Sequence, residues 1–261
     1  MSHEWNATLY HQISAPQVSW GKKVLARISL RGDETVLDAG CGTGRLTRDL
    51  LEALPRGKVV ALDVSRNMID AARAYLTPEF GDRVEFVTGD LLEMPFHEQF
   101  DGILSTASFH WVKDHDVLFA GLYRALRAGG WLCAQCGGHR NLDRFLTRVN
   151  TLMSTLPYQR YFQNFTSPWE FADPATTAVR LKSAGFEAID TGSEEKPTPF
   201  DDPAEFQQFV ASVVLRRHLE RLPTGDLRGT FLGTLTSECA QAAPPLLLDY
   251  VRLNLQARKP L

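Results

Sequence analysis

The stretch between residues 35 and 54 restricts the fold more than any other. An apolar run, Thr35-Val36-Leu37-Asp38-Ala39, leads into Gly40-Cys41-Gly42-Thr43-Gly44, and a segment with Leu46, Leu50 and Leu54 on one side follows. An apolar run with little alternation indicates a strand buried on both faces, and the i, i+4 spacing after it indicates a helix packed on that strand. Glycines on alternate positions remove Cβ atoms that would keep a ligand from the backbone. A strand, a glycine turn and a helix in this order open a βαβ unit, so a doubly wound, mostly parallel sheet is expected.

The same rhythm continues to about residue 136. Strands are expected at Thr35–Ala39, Lys58–Leu62, Val84–Thr88, Phe100–Ser105 and Trp131–Gln135, preceded by a helix over Pro16–Leu30. Ser65 reads as the N-cap of a helix carrying Met68, Ile69 and Ala72. Gly129-Gly130 reads as the stop of a helix carrying Val117, Leu118, Leu122 and Leu126. Beyond Gly138 the pattern turns helical and irregular. The aromatics there, Phe145, Tyr158, Tyr161, Phe162, Phe165 and Trp169, either line an apolar pocket or form a small core of their own. A helix at Pro174–Ala184, a strand at Phe186–Ile189, two helices around Pro223-Thr224-Gly225 and a final strand at Leu246–Ala257 complete the reading. The expected plan is an α/β core of seven strands with an N-terminal lid, residues 1–138. Helical cap insertions at 139–173 and 201–245 alternate with core continuation at 174–200 and 246–261. The charged run Arg216–Arg221 is expected to be a solvated helix face.

Of 261 residues, 44% are hydrophobic and 23% charged, enough for a full core without disulfides or metal. The net charge of −3 and the lack of a basic stripe argue against a nucleic-acid partner. The polar start of the chain is unlike a signal peptide, and no apolar run is long enough to span a membrane, so a cytoplasmic protein is expected. Cys133 and Cys136 form a C-x-x-C, but within an apparent strand and without a second pair. Packed thiols are therefore expected rather than a redox or metal site. The seven histidines show no metal-ligand spacing, so no metal is expected.

Three acids stand at successive strand ends. Asp38 precedes the glycines, where a carboxylate repels phosphate and attracts an ammonium group. Gly44 comes one residue too early for the third glycine of a nicotinamide fingerprint, and Arg45 takes that place. Asp63, with Val64 beside it, follows the second strand by the spacing at which a carboxylate accepts ribose hydroxyls. Gly89-Asp90-Leu91 follows the third. Asp90 offers an acceptor for an adenine amino group, and Leu91 offers an amide and an apolar edge. An amino acid joined to adenosine matches the three together.

Asp38-Ala39-Gly40-Cys41-Gly42-Thr43-Gly44, with the spaced Asp63 and Gly89-Asp90, resembles the class I S-adenosylmethionine-dependent methyltransferases. Within them the chain is similar to the small-molecule branch that includes the trans-aconitate and malonyl-carrier-protein methyltransferases, from about Val24 to Gln135. The resemblance implies a Rossmann-like fold and S-adenosylmethionine as cofactor. Asp38, Gly40, Cys41, Gly42 and Gly44 would take the methionine end and Asp63 the ribose. Asp90 and Leu91 would flank the adenine with Met68, and Ser105-Thr106-Ala107 would lie near the sulfonium.

The acceptor side is read from His110-Trp111, a pair that commonly follows strand four in this branch. His110 is the catalytic candidate, able to orient the acceptor or take its proton. Tyr10 is a lid candidate, with Trp20 and Gln17 behind it, and His11 reads as a surface residue. Gly137-Gly138 would let a ligand approach, with His139 or Arg140 facing the acceptor. The expected reaction is methyl transfer to a small molecule, most readily to a carboxylate or hydroxyl oxygen. C- or N-methylation, a nicotinamide oxidoreductase and a non-catalytic cofactor-binding module remain open.

Overall fold

The computed structural model describes residues 4–13 and 15–261. Two short helices, α1 (Ala7–Ile13) and α2 (Ala15–Leu25), lead into β1 (Thr35–Ala39) and α3 (Arg45–Ala53). Then come β2 (Lys58–Asp63), α4 (Arg66–Phe80), β3 (Val84–Thr88), β4 (Phe100–Thr106), α5 (His115–Ala125) and β5 (Leu126–Gly137). The chain continues through α6 (Asp143–Met153), α7 (Pro174–Ser183), β6 (Glu187–Pro199) and α8 (Pro203–Phe209). It ends with α9 (Arg216–Leu219), α10 (Gly225–Ala240) and β7 (Leu247–Arg258). Among the described residues the strands form a seven-stranded sheet in the order β3-β2-β1-β4-β5-β7-β6. The pairings of β1 with β2 and β4, of β2 with β3 and of β4 with β5 are parallel, whereas β7 runs antiparallel to β5.

Strand order reverses direction at β1, which lies between β2 and β4. Ligands bind outside the carboxyl ends of strands at such a switch point, and the glycine turn sits there. Strand periodicity divides the core between two faces. Leu37, Val60, Ile103, Leu132 and Cys136 join one buried cluster, and Val36, Val59, Leu104 and Cys133 join the other. Cys133 and Cys136 thus point to opposite sides of one strand, as three-residue spacing in a strand requires. Both are free and buried, and burial pushes each thiol up to about 11.

The chain divides into two compact units. The first is Met1–His139, Trp169–Glu194 and Arg252–Leu261, and the second is Arg140–Pro168 and Glu195–Val251. These limits differ from the expected insertions: Trp169–Asp173 falls in the first unit, and Glu195–Phe200 and Leu246–Val251 fall in the second. The second unit has its own aromatic core. Phe145 meets Phe206, and Tyr158 and Phe162 meet Phe231. The charged run there is not simply solvated. His218 is buried against Phe165 at 4.6 Å, and the Arg221 guanidinium lies over the same ring.

Two expectations about elements change. Helix α5 ends at Ala125, and Gly129-Gly130 lies inside β5. Leu126 already has extended backbone and pairs with Phe100, so the strand takes over before the glycines are reached. The first helix does not reach the expected Leu30, because α2 stops at Leu25. No helix among the described residues is long and apolar enough to cross a membrane.

Candidate functional site

The glycine turn is built against its neighbours, and its three glycines do different work. A Cβ on Gly40 would lie 2.0 Å from Ser108 Oγ, and one on Gly44 would lie 2.8 Å from Leu76 Cδ1. Both residues also have positive φ, which L side chains avoid. At these two positions glycine therefore serves the packing of the protein itself. Gly42 also has a positive φ, of 55°, but its surroundings differ: a Cβ there meets nothing nearer than Tyr10 Cε1 at 4.0 Å. The turn is held down by Gly40 and Cys41 N–H groups donating to Leu62 O, and by Gly42 N–H donating to Asp63 Oδ2 at 3.0 Å.

Asp38 is buried at the end of β1 and accepts the Thr47 hydroxyl at 2.7 Å. Burial pushes its carboxyl up to about 7, against the stabilising bond from Thr47. Asp63 also accepts the Ser65 N–H at 2.9 Å, and burial raises its pKa. Asp90 is exposed and turns its chain by accepting Leu92 N–H, while Leu91 is buried in the core and Gly89 N–H donates to Asp63 O. Met68 is buried in the first turn of α4, and Val64 is partly exposed. Ser105 is buried and spends its hydroxyl on Ala39 O at 2.6 Å. Ala107 holds a positive φ of 57° just after β4, the kind of strain that clusters at functional sites, and Thr106 is half-buried beside it.

The N-terminal segment is fastened across this end of the sheet. The Glu4 carboxylate accepts from the Ser65 hydroxyl and from the Arg66 and Asn67 N–H groups, capping α4 from outside the helix. His11 shares a 2.9 Å hydrogen bond with Thr43, so it belongs to the turn rather than to the open surface. Gln17 Oε1 is buried without a hydrogen-bond partner, one helical turn before Trp20.

His110 and Trp111 lie in a short helical turn after β4. His110, Trp111, Trp169 and Phe171 form a closed circuit of rings with centroids 5.3 to 6.0 Å apart. Trp5 joins it through Trp111, and Tyr10 joins through Trp5, both at 5.6 Å. Glu170 N–H donates to His110 O, and the Lys113 ammonium donates to Trp169 O, which ties the two segments together. Gly137 N–H donates to His110 Nδ1 at 3.3 Å. The accepting Nδ1 is therefore unprotonated, and the neutral ring carries its hydrogen on Nε2. Burial, the Arg252 charge and His115 together hold His110 well below its ordinary pKa. Burial, aided by Asp63, pushes the Tyr10 phenol up to about 12. Near neutral pH both groups are hydrogen-bond donors.

Two expected acceptor residues are not arranged for that work. His139 is exposed, and Arg140 is exposed with its guanidinium on Asp143 at 3.2 Å. Gly138 serves packing, since a Cβ there would lie 2.9 Å from Leu253 Cβ. Arg252, which the sequence reading overlooked, is buried on β7 directly across from Gly137, with its guanidinium 4.8 Å from the Trp20 ring centre. A signal was present: Leu248, Tyr250 and Arg252 share one face of the strand, and an arginine in a buried row is unusual. Trp169 and Phe171 had no such signal, because only the return of the chain brings them to Trp111.

These features fit an adenosyl amino acid. Gly42 has room above it, and Asp38 is a buried acid that a cationic amine would relieve. Gln17 offers an acceptor still to be satisfied. Among the described residues no cluster of metal-ligating side chains occurs.

Comparison with known proteins gives the same reading. Residues 36–130 match the family model described as a methyltransferase domain. Trans-aconitate 2-methyltransferase of Deinococcus radiodurans is 35% identical over 225 residues, 85% of this chain and 85% of that protein. The protein of the same description from Variovorax paradoxus is 27% identical over 98% of both chains. A solved structure of a putative methyltransferase from Bacillus halodurans superposes with a TM-score of 0.64 at 21% identity, over 93% of this chain and 100% of that one. The nicotinamide alternative, already disfavoured by the position of Gly44, finds no place in a methyltransferase family. The chain belongs to the class I S-adenosylmethionine-dependent methyltransferases and resembles their trans-aconitate branch.

Proposed function

We propose that the protein transfers a methyl group to a carboxylate oxygen of a small-molecule acid. The observation that carries this reading is the protonation state of the groups beside the β4 end. His110 has its Nδ1 lone pair engaged by Gly137 N–H, and the Tyr10 phenol is fully protonated. Neither offers a basic lone pair near neutral pH. An acceptor that arrives already ionised needs none, and a carboxylate does so while a phenol or amine does not.

Asp38, the Gly42 backbone, Asp63, Asp90 and Leu91 are the residues that would hold S-adenosylmethionine, with Gly40 and Gly44 shaping the turn. Cys41, Gly89, Val64 and Met68 would border it. The cofactor supplies an electrophilic methyl group for in-line displacement. His110, through Nε2–H, and Tyr10, through its hydroxyl, orient the acceptor by donating to an oxygen that does not react. The rings of Trp5, Trp111, Trp169 and Phe171 keep water from the reacting atoms, which favours a desolvated carboxylate nucleophile. Support also comes from the relatives, whose names state action on trans-aconitate.

The test is release of S-adenosylhomocysteine on incubation with S-adenosylmethionine and a panel of carboxylic acids, phenols and amines. Turnover confined to the acids, with no requirement for a titrating base between pH 6 and 9, is expected. Turnover of phenols or amines with the acids silent overturns the reading and returns His110 to the role of a base. Methylation at carbon, read by mass spectrometry of the product, overturns the oxygen assignment alone.

A further inference from the structure

The short turn that carries His110 is held by side chains that the function derived above does not use. The Phe109 carbonyl oxygen closes the turn by accepting Val112 N–H, and it also meets His115 Nε2 at 3.0 Å. A carbonyl oxygen only accepts, so His115 carries its hydrogen on Nε2 and leaves Nδ1 bare. Arg180 on α7 donates to that Nδ1 at 3.3 Å, and the same guanidinium nitrogen lies 3.4 Å from a carboxylate oxygen of Glu170. Glu170 N–H in turn donates to His110 O at 2.9 Å, which closes a ring of hydrogen bonds around the turn. His115 is 2% exposed in the first turn of α5, and its ring lies 5.6 Å from that of Phe119. Close packing leaves such a ring one orientation.

A phenylalanine would fill the same space. What histidine adds is one donor and one acceptor aimed at two different elements, the His110 turn and α7. A protonated ring would present Nδ1–H to the arginine, so the guanidinium selects the neutral, Nε2–H form. The cost of failure is set by geometry, because a misplacement of about 1 Å in an orienting group can slow a reaction about a hundredfold. We propose that His115, oriented by Arg180 and Glu170, is a positioning residue that fixes the turn carrying His110 and so aims His110 Nε2–H at the acceptor. This rests on the reading of His110 as an orienting donor.

The experiment measures S-adenosylhomocysteine release with trans-aconitate as acceptor in the wild type, His115→Phe, His115→Gln, His110→Ala and the double variant His110→Ala/His115→Phe. His115→Phe is expected to lower kcat by about tenfold or more, with a smaller change in KM and S-adenosylhomocysteine affinity within about twofold. His115→Gln, whose amide can donate to Phe109 O, should recover most of the turnover. In the His110→Ala background, His115→Phe should cost less than about twofold further, as coupled residues do. Equal losses in both backgrounds, or full turnover in His115→Phe, overturn the role of His115 and leave that of His110 standing. Full turnover in His110→Ala instead removes His110 from the site, and this inference with it. Nitrogen-15 NMR of the imidazoles gives a readout that needs no acceptor. His115 of the wild type is expected as the neutral Nε2–H tautomer, and the His110 ring signals should shift in His115→Phe and return in His115→Gln. An Nδ1–H tautomer or an imidazolium at His115 near neutral pH overturns the inference, even if both variants fail to fold. Unmoved His110 signals in a folded His115→Phe overturn it as well.

Discussion

Gly137 N–H points at Nδ1 of His110 across 3.3 Å, and that one bond decides which nitrogen of the ring can do anything else. With Nδ1 accepting and the ring held well below its ordinary pKa, His110 is a neutral ring whose Nε2–H is the donor that the proposed reaction would use. His110→Ala is expected to lower kcat by about tenfold to a hundredfold, the loss of one orienting hydrogen bond, while cofactor affinity stays within about twofold. The wild-type pH profile should show no limb near 6.5. Full turnover in the variant, or a limb near 6.5 that the variant removes, would assign the histidine differently.

The glycine turn separates packing from ligand access. Gly40→Ala places a methyl group on Ser108 and on a backbone with φ of 89°, so destabilisation of about 2 to 4 kcal/mol is expected in urea unfolding. Gly42→Val meets no close neighbour and projects into the space above the turn, although a β-branched residue at the Gly42 φ of 55° also costs some stability. Its expected effect is a loss of S-adenosylmethionine affinity larger than its loss of stability. Calorimetric binding and unfolding, measured on both variants, check the pair. Unchanged binding in Gly42→Val would remove the turn from the cofactor site.

Asp38 carries a proton linkage. Its folded pKa is raised from 3.8 to about 7, so the folded protein without cofactor binds a proton that the unfolded chain has released. The sign follows from that difference: this group's contribution is most favourable below about pH 4 and is progressively lost as pH rises toward 7. An ammonium group beside the carboxylate would pull the pKa down again. Binding of S-adenosylmethionine near pH 6 to 7 is therefore expected to release a proton, seen as binding heats that depend on the buffer's ionisation enthalpy. Asp38→Asn should abolish that dependence. Buffer-independent heats in the wild type would argue against contact between Asp38 and the amine.

Glu4 ties the N-terminal segment to α4, and its pKa is lowered chiefly by the Asn67 N–H. A depressed carboxylate stabilises above its unfolded pKa of 4.5 and loses that contribution as pH falls through the folded value. Glu4→Gln is expected to lower hydrogen-exchange protection over 4–13 at pH 7, and acidification to lower the protection factors of the same amides in the wild type once the slower intrinsic exchange is divided out. Exchange rates identical in the two proteins would show that the segment is held elsewhere.

The parts of this site that could be read in the sequence are those made by neighbours in the chain. A strand, its end residue and the next helix are local, so Asp38, the glycines, Asp63 and the Ser65 cap were recognisable from spacing. What failed was set by distant partners. Gly129-Gly130 has the composition of a helix stop, but the pairing of Leu126 with Phe100 decides the local backbone. Arg140 is exposed on Asp143, while the buried Arg252 reaches the end of β5 only through an antiparallel pairing. Trp169 and Phe171 come to His110 across more than fifty residues of chain, with no periodicity to announce them.

The sheet order β5-β7-β6 also has a consequence for how the polypeptide acquires its structure during synthesis. β6 borders only β7, and β7 is the last strand to emerge from the ribosome. Until it does, β5 presents a bare hydrogen-bonding edge and β6 has nothing to join. Such edges recruit strands from other chains. Ribosome-bound or prematurely terminated chains that end before Leu247 should therefore be the species most prone to aggregate and most dependent on chaperones.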